Sequence, residues 1–510
     1  MTINNHETED KMKTGIRMKQ DILLLILGIW MFGIALLHTL MATFRYIIKY
    51  ELAIPYIRWA GLGLVAATLI YVIVNLSTLK QARGKMISRL QELVSPEQTL
   101  LIGVLLWYVL SCYMNQRFRT VSYFKKEDWY LFDAFVCFCI LFPMPMILGQ
   151  KKRKEWIELL IHIVVILYTV VTAVCLWHIF HLEVIDLPSG EQAGMTAYSQ
   201  LMLGEHYNLT GMIAVTMLCL CVYMILTQET AIKILYVLLG LIQLTVVYLS
   251  NSRTVFVGMM AFVVAVGFFF PWNHLKGKRV PIRIGISITA CIAVTLVFWY
   301  GRTGTFVLFD KITHYNASLA GEIAATGTPY GVKPLAYRYS GFHAAALAAS
   351  GADNVRELNN LSNRTEVWKA AWKVMTFSPR YFFFGVTPTT IPAAIEVIGG
   401  YEVETVAHAH NILLQLGVGL GFPAMLMFAV FLVCITVRCV RILTGISGKE
   451  MKNIYVIPAA LLCFIVIDMA EVYLVTRFSA MACFFFLFCG WVVAIDRDRN
   501  QGRERPEVQV

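Results

Sequence analysis

Apolar residues fill this chain in long runs, broken by short polar segments. A helix needs about 20 apolar residues to cross a bilayer core, and on that measure about twelve candidate spans appear. Their limits fall near residues 22–43, 56–79, 100–115, 129–149, 157–181, 207–226, 231–249, 254–271, 282–300, 409–436, 454–472 and 477–495. The first 20 residues are polar and lack the cleavage pattern of a signal peptide, so the first span is expected to be retained.

Most connections between spans are short, but the one at 301–407 is not. A connection of that length needs structure of its own or a purpose. The expected organisation is a polar tail at 1–20, nine spans within 21–300, the long loop at 301–407, three spans within 408–496 and a second tail at 497–510. Inside the loop, Arg364, Trp368, Ala371 and Met375 recur at helical spacing and predict an amphipathic helix over about 364–377. Asn363 and Glu366 have the spacing of a capping box at its start, and Ser378-Pro379 ends it. The aromatic run from Tyr381 to Phe384 suits the headgroup level, so this helix is expected to lie flat on the membrane surface. The predicted fold is therefore an all-α polytopic membrane protein with one long extracytoplasmic loop that carries amphipathic helices.

Composition narrows the classes further. The 510 residues are 58% hydrophobic and 15% charged, against about 45–50% and about 25% in soluble domains. That excludes a string of soluble domains, a disordered chain and a disulfide scaffold. The net charge of +11 is no nucleic-acid footprint, because Lys and Arg in such proteins gather at the cytoplasmic ends of spans. With the N-terminus inside, 25 of the 43 Lys and Arg fall in inside segments, against 9 in outside segments other than the long loop. Both termini are thus expected in the cytoplasm and the long loop outside. The twelve Cys lie almost entirely within the spans, where free Cys packs as a small hydrophobe.

Three polar sites then fall on the same expected face. The first is Ser250-Asn251-Ser252-Arg253, a short turn between two spans. Arg253 reads either as a snorkelling anchor or as a cation at the mouth of a site. The second is Arg364, in the first turn of the loop helix. A cation there opposes the helix dipole, unless an anion is shared between the Arg and the helix N-terminus. A surface ion pair is the plainer alternative. The third is His408-Ala409-His410-Asn411, where the loop meets the next span. On an extended lead-in the two rings would point the same way. Either imidazole suits a base or hydrogen-bonding role, or interface packing. A zinc site needs further ligands, for which Glu402 and Glu404 are the nearby candidates. Arginine forks match phosphate oxygens, and histidine takes a proton from a hydroxyl near neutral pH. Together these suit an anionic, lipid-linked substrate.

No Walker A pattern is present, which excludes an ATP-driven machine of that type. The one DxD, Asp496-Arg497-Asp498, lies in the expected cytoplasmic tail and reads as a solvated charged stop. Chemistry at the three sites is therefore expected to need no metal, with arginines neutralising the anionic group.

On Ser250-Asn251-Ser252-Arg253, Asn363-Arg364-Thr365-Glu366-Val367-Trp368 with Ser378-Pro379 and Gly385, and His408-Ala409-His410-Asn411 with Gly417 and Gly421, the chain resembles the O-antigen ligase and polymerase-like membrane proteins. The resemblance covers roughly residues 245–425 and extends to the long loop between spans nine and ten. It implies a C-type glycosyltransferase (GT-C-like) fold in a bacterial cytoplasmic membrane. The implied activity moves a glycan from undecaprenyl pyrophosphate to a hydroxyl of a glycan, lipid (such as lipopolysaccharide) or wall acceptor on the outer side. His410 takes the place of the family's base, with His408 beside it, and Arg253 and Arg364 take the places of the pyrophosphate-holding arginines. Ser250, Ser252, Asn411, Trp368 and Glu366 are expected to support them, with no cofactor and no metal. Two departures, Ala424 after Pro423 and Trp368 where ligases often carry Leu, leave ligase and polysaccharide polymerase both open.

Two readings from other classes remain. A transporter of a lipid-linked or anionic substrate predicts ionisable residues within the membrane, for which Asp133, Asp468 and Glu471 are the candidates. A non-enzymatic scaffold predicts that the three polar sites are dispensable.

Overall fold

The computed structural model describes residue 33 and residues 95–117, 126–147, 150–183, 185–186, 192–195, 200–203, 206–275, 277–314, 364–401, 408–445, 454–475 and 479–504. The spans expected at 22–43 and 56–79 lie outside the described residues, except for Gly33, which is helical. The described helices are α1 Pro96–Arg117, α2 Lys126–Leu141, α3 Met144–Ile147 and α4 Gln150–Phe180, then α5 Tyr207–Thr227, α6 Thr230–Leu249, α7 Arg253–His274 and α8 Val280–Thr313. After the long connection come α9 Arg364–Thr376, α10 Pro379–Phe384, α11 Ile391–Val397, α12 Ile412–Leu420, α13 Phe422–Gly445, α14 Val456–Asp468 and α15 Ala480–Glu504. Among the described residues, eight of these helices are long and apolar enough to cross a membrane, and two shorter apolar ones accompany them. The chain is an all-α polytopic membrane protein with, among the described residues, one small antiparallel sheet between α4 and α5. Its strands are β1 Ile185–Asp186, β2 Gln192–Met195 and β3 Leu201–Leu203, with Ala193 opposite both Ile185 and Leu203.

Burial sorts the helices into centre and rim. α5 and α15 are buried nearly all round, as expected of helices that are apolar on every face. α8 is the opposite: it packs mainly along α7 and presents most of its apolar surface outward, as a lipid-facing helix does. α7 lies between α8 and α14, and α13 lies against α1. All twelve cysteines are free, and most are buried.

The structure departs from the hydropathy reading in three places. The span expected at 409–436 is two helices, α12 and α13, broken at Gly421. Gly421 has a φ of +93°, and a Cβ there would strike the Phe383 carbonyl. Gly385, with a φ of +63°, closes on Gly419 in the same way, and Val386 and Thr387 donate to the Val418 and Gly419 carbonyls at 2.8 and 2.9 Å. Two turns thus cross backbone to backbone, which only glycine permits at these φ values. Second, α8 continues past the residue-300 boundary to Thr313, because Phe306 to Phe309 renew the apolar run. Third, Asp496 is buried rather than solvated and pairs with Arg438 at 2.6 Å. Arg438 also holds Glu97 at 2.7 Å, and Asp498 pairs with Arg153 at 2.9 Å. The DxD therefore ties α15 to α13, α1 and α4, at the end of the bundle away from the three polar sites.

The loop helix predicted over 364–377 is α9. Its apolar face, with Val367, Ala370, Ala371 and Val374 buried, packs with Ile391 and Ile395 of α11 and Val418 of α12 into a small second core. That packing fixes where Arg364 and Trp368 point.

Candidate active site

The turn between α6 and α7 is the base of the site. Asn251 takes a left-handed conformation (φ +52°), which reverses the chain in two residues. Ser250 is buried and turned inward, with its hydroxyl donating to the Val247 carbonyl at 2.8 Å. Ser252 caps α7 by accepting from the Val255 N–H, and its hydroxyl donates to Asn208 Oδ1 of α5 at 2.6 Å. Arg253, the first residue of α7, is exposed.

α9 delivers Arg364 to this turn. One terminal nitrogen of its guanidinium donates to Thr254 Oγ1 at 2.9 Å and also to Glu471 Oε1. Glu471 is fully buried in the turn that follows α14. Its Oε1 also accepts from Asn208 Nδ2 at 2.8 Å. Arg364 Nε is buried with no hydrogen-bond partner among the described residues.

The His408–Asn411 segment closes the other side. Asn411 caps α12 through its side chain, accepting from the Leu413 and Leu414 N–H groups at 3.0 and 3.1 Å, and donates to the Met469 carbonyl at 2.9 Å. The second contact ties the histidine segment to the Glu471 turn. His410 is left-handed (φ +49°) rather than extended, yet the two rings still meet edge to face with centroids 4.2 Å apart. His410 Nδ1 lies 3.2 Å from Glu471 Oε2. Trp368 Nε1 donates to the His410 carbonyl at 3.2 Å, so α9 positions the histidine as well as the arginine.

Five elements far apart in the chain therefore meet around one carboxylate. Burial opposes ionisation of Glu471, but the hydrogen bond with His410 and the electrostatic pull of its neighbours, Arg364 among them, outweigh it and hold the carboxyl below its ordinary value. A carboxylate on Nδ1 is an arrangement in which an imidazole can present Nε2 as a proton acceptor.

His408, His410 and Glu471 also form a trio whose ligand atoms lie within 4.8 Å of one another. The donor types suit zinc, but the fit is poor. Both Glu471 oxygens are already engaged, and a cation there would sit beside the Arg364 guanidinium.

Not every expected residue is drawn in. Glu366 is exposed and pairs with Lys369 at 2.8 Å, away from the Glu471 cluster. Asn363, Glu402 and Glu404, and the side chain of Asp133, lie outside the described residues. Asp468 accepts from the Tyr473 and Leu474 N–H groups at 2.7 and 3.2 Å and so closes the turn that presents Glu471. Glu471 and Asn208 are the members that the motif reading did not assign to this site. The signal for Glu471 was its acidic side chain at the end of an apolar run; Asn208 carries no such mark.

No curated protein sequence matches the chain. Residues 237–429 match the family model of the O-antigen ligases. The match contains Arg253, Arg364 and His410 and leaves Asn208 and Glu471 outside it. Over that stretch the chain is similar to the O-antigen ligases, and its helical architecture is that of a polytopic membrane protein.

Proposed function

We propose that the protein transfers a glycan from undecaprenyl pyrophosphate to an acceptor hydroxyl on the extracytoplasmic face of a bacterial cytoplasmic membrane. The observation that carries this reading is the contact of His410 Nδ1 with Glu471 Oε2, which leaves Nε2 to face an acceptor. The acceptor oxygen attacks the anomeric carbon of the donor sugar as its proton passes to His410 Nε2. The new C–O bond forms, the bond to the diphosphate oxygen breaks, and the diphosphate leaves with the electron pair. Attack opposite the leaving group inverts the anomeric centre.

Arg253 and Arg364 flank the path of the leaving group. The buried, unpartnered Nε of Arg364 supports a contact with a diphosphate oxygen. His408, edge-on to His410, orients the acceptor. Arginines supply the charge neutralisation a divalent metal provides elsewhere, so the transfer is metal-independent. The test is product analysis in proteoliposomes holding the full chain, a purified lipid-linked glycan and candidate acceptors. A glycan joined to an acceptor supports the reading. The same lipid moved intact across the bilayer contradicts it. A donor glycan lengthened on its own carrier assigns polymerisation by the same site.

A further inference from the structure

A basic turn joins α7 to α8 at the end of the bundle away from the Glu471 cluster. Trp272 lies 19 residues along α7 from Arg253, about 29 Å at 1.5 Å per residue. That is close to the thickness of a bilayer core, about 30 Å, so the turn sits at the headgroup level of the opposite leaflet. Lys278 and Arg279 are exposed there, and the sequence holds no Asp or Glu between Glu229 and Asp310. Arg283 is half-buried and folded back onto α7. Its guanidinium lies 4.0 Å from the centre of the Trp272 ring and donates to the Trp272 carbonyl at 2.9 Å. That carbonyl is one of the last four of α7, which find no partner within their own helix. A carbonyl and a ring face orient a guanidinium without neutralising it. Arg283 Nε is buried with no hydrogen-bond partner, and no carboxylate pairs with the side chain among the described residues.

An open apolar groove begins beside this arginine and runs up α8, lined by Ile282, Gly285, Ile286, Thr289, Ala290 and Ala293. Spacings of three and four residues put them on one helix face, and Arg279 falls one turn below Ile282 on that face. A Cβ added at Gly285 would meet nothing within 4 Å, and the Thr289 hydroxyl is turned to the Gly285 carbonyl at 2.9 Å, so the floor is shallow and apolar. From Ile282 to Ala293 the groove rises about 17 Å, close to half of a bilayer core, about 15 Å. Beyond Ala293 the helix exposes Leu296, Val297, Trp299 and Tyr300, which are large side chains. A packed transmembrane helix would need a seam through both leaflets; an acyl chain needs one leaflet only.

We propose that the α7–α8 turn and the adjoining face of α8 bind an anionic phospholipid, with its phosphate on Arg283 and Arg279 and one acyl chain in the groove. Lys278 adds to the attraction, since basic residues beside a span favour anionic headgroups. The site is about one bilayer core away from the Glu471 cluster and does not rest on the glycan-transfer reading.

The test titrates the full chain, delipidated in detergent, with phosphatidylglycerol or with phosphatidylcholine of the same acyl chains, and counts bound lipid by native mass spectrometry. The wild type is expected to bind phosphatidylglycerol about tenfold more tightly or better, at about fivefold for each basic residue engaged. Arg283→Gln is expected to weaken phosphatidylglycerol by about fivefold or more and to leave phosphatidylcholine unchanged. Gly285→Leu fills the groove without changing charge and is expected to weaken both lipids. Lys311→Gln, which removes an exposed charge at the other end of α8, is expected to change neither. Thermal unfolding in the same detergent establishes that the variants are folded, and Arg279→Gln, at an exposed position, carries the charge test if Arg283→Gln fails to fold.

Equal affinity of the wild type for the two lipids overturns the proposal. So does unchanged phosphatidylglycerol affinity in a folded arginine variant, or unchanged affinity for both lipids in Gly285→Leu. A Gly285→Leu variant that instead loses a dimer present in the wild-type spectra makes the groove an interface between copies of the chain, and overturns it as well.

Discussion

Replacing Glu471 with glutamine keeps the volume of the side chain and removes its charge, and the structure sets the size of the effect. The side chain is 1% exposed and accepts from Arg364, Asn208 and His410. The glutamine oxygen can keep Arg364 and Asn208, but its NH2 group then faces His410 Nδ1 and favours the tautomer with the proton on Nε2. Arg364 would lose its buried counter-charge, and breaking such a pair costs about 3–5 kcal/mol. In turnover, the imidazolium that forms on His410 would lose the carboxylate that stabilises it. In a Ser-His-Asp triad the corresponding change lowers kcat by about 10⁴, and general-base catalysis contributes about 10²–10⁴. At 1.36 kcal/mol per tenfold, that span is about 3–5 kcal/mol of transition-state stabilisation. Glu471→Gln in proteoliposomes is therefore expected to lower glycan transfer by about 10²–10⁴-fold while the protein still inserts. Glu471→Asp, which keeps the charge on a shorter arm, is expected to fall between the two. Transfer by Glu471→Gln at the wild-type rate would refute the carboxylate–histidine pairing.

Three further outcomes follow from the same geometry. Arg364→Lys keeps a charge beside Glu471 but cannot also reach Thr254 and present a second donor; transfer should fall by about tenfold or more, and a fully active variant would remove Arg364 from the site. Gly421→Ala places a Cβ against the Phe383 carbonyl at a φ of +93°, so it should destabilise by more than about 1 kcal/mol, read as a lower Tm in detergent. The lowered pKa of Glu471 also has a pH consequence. Its stabilising contribution is complete above the ordinary carboxylate value of about 4.3 and is lost as pH falls through the lower folded value. Wild type should therefore lose stability below about pH 4 in a way that Glu471→Gln does not, and superimposable acid-unfolding curves would contradict it.

The spans were readable because a bilayer demands long apolar runs and the chain supplies them. The amphipathic helix α9 was readable for a related reason: Ala371 and Met375 lie buried on the face that their spacing predicted, with Arg364 and Trp368 partly buried beside them. Hydropathy does not register backbone conformation, so the break at Gly421 was hidden within a single apolar run. It also treats each charge by its nearest span. Glu471 therefore read as an acidic residue near a span end, and Arg302 was counted with the long loop, although folding brings both to the site. Asp496 and Asp498 read as a solvated tail because Arg438 and Arg153, their partners, are distant in the chain. In each case the missing information was a long-range pairing, which a single sequence carries only in folded form.

The most direct measurement is a single-turnover assay of His410→Ala, with purified lipid-linked glycan and acceptor in proteoliposomes. If His410 Nε2 accepts the hydroxyl proton, product formation falls by about 10²–10⁴-fold while the variant still binds the polyprenyl diphosphate carrier with wild-type affinity. Product formation at the wild-type rate would mean that the imidazole held by Glu471 is not the base.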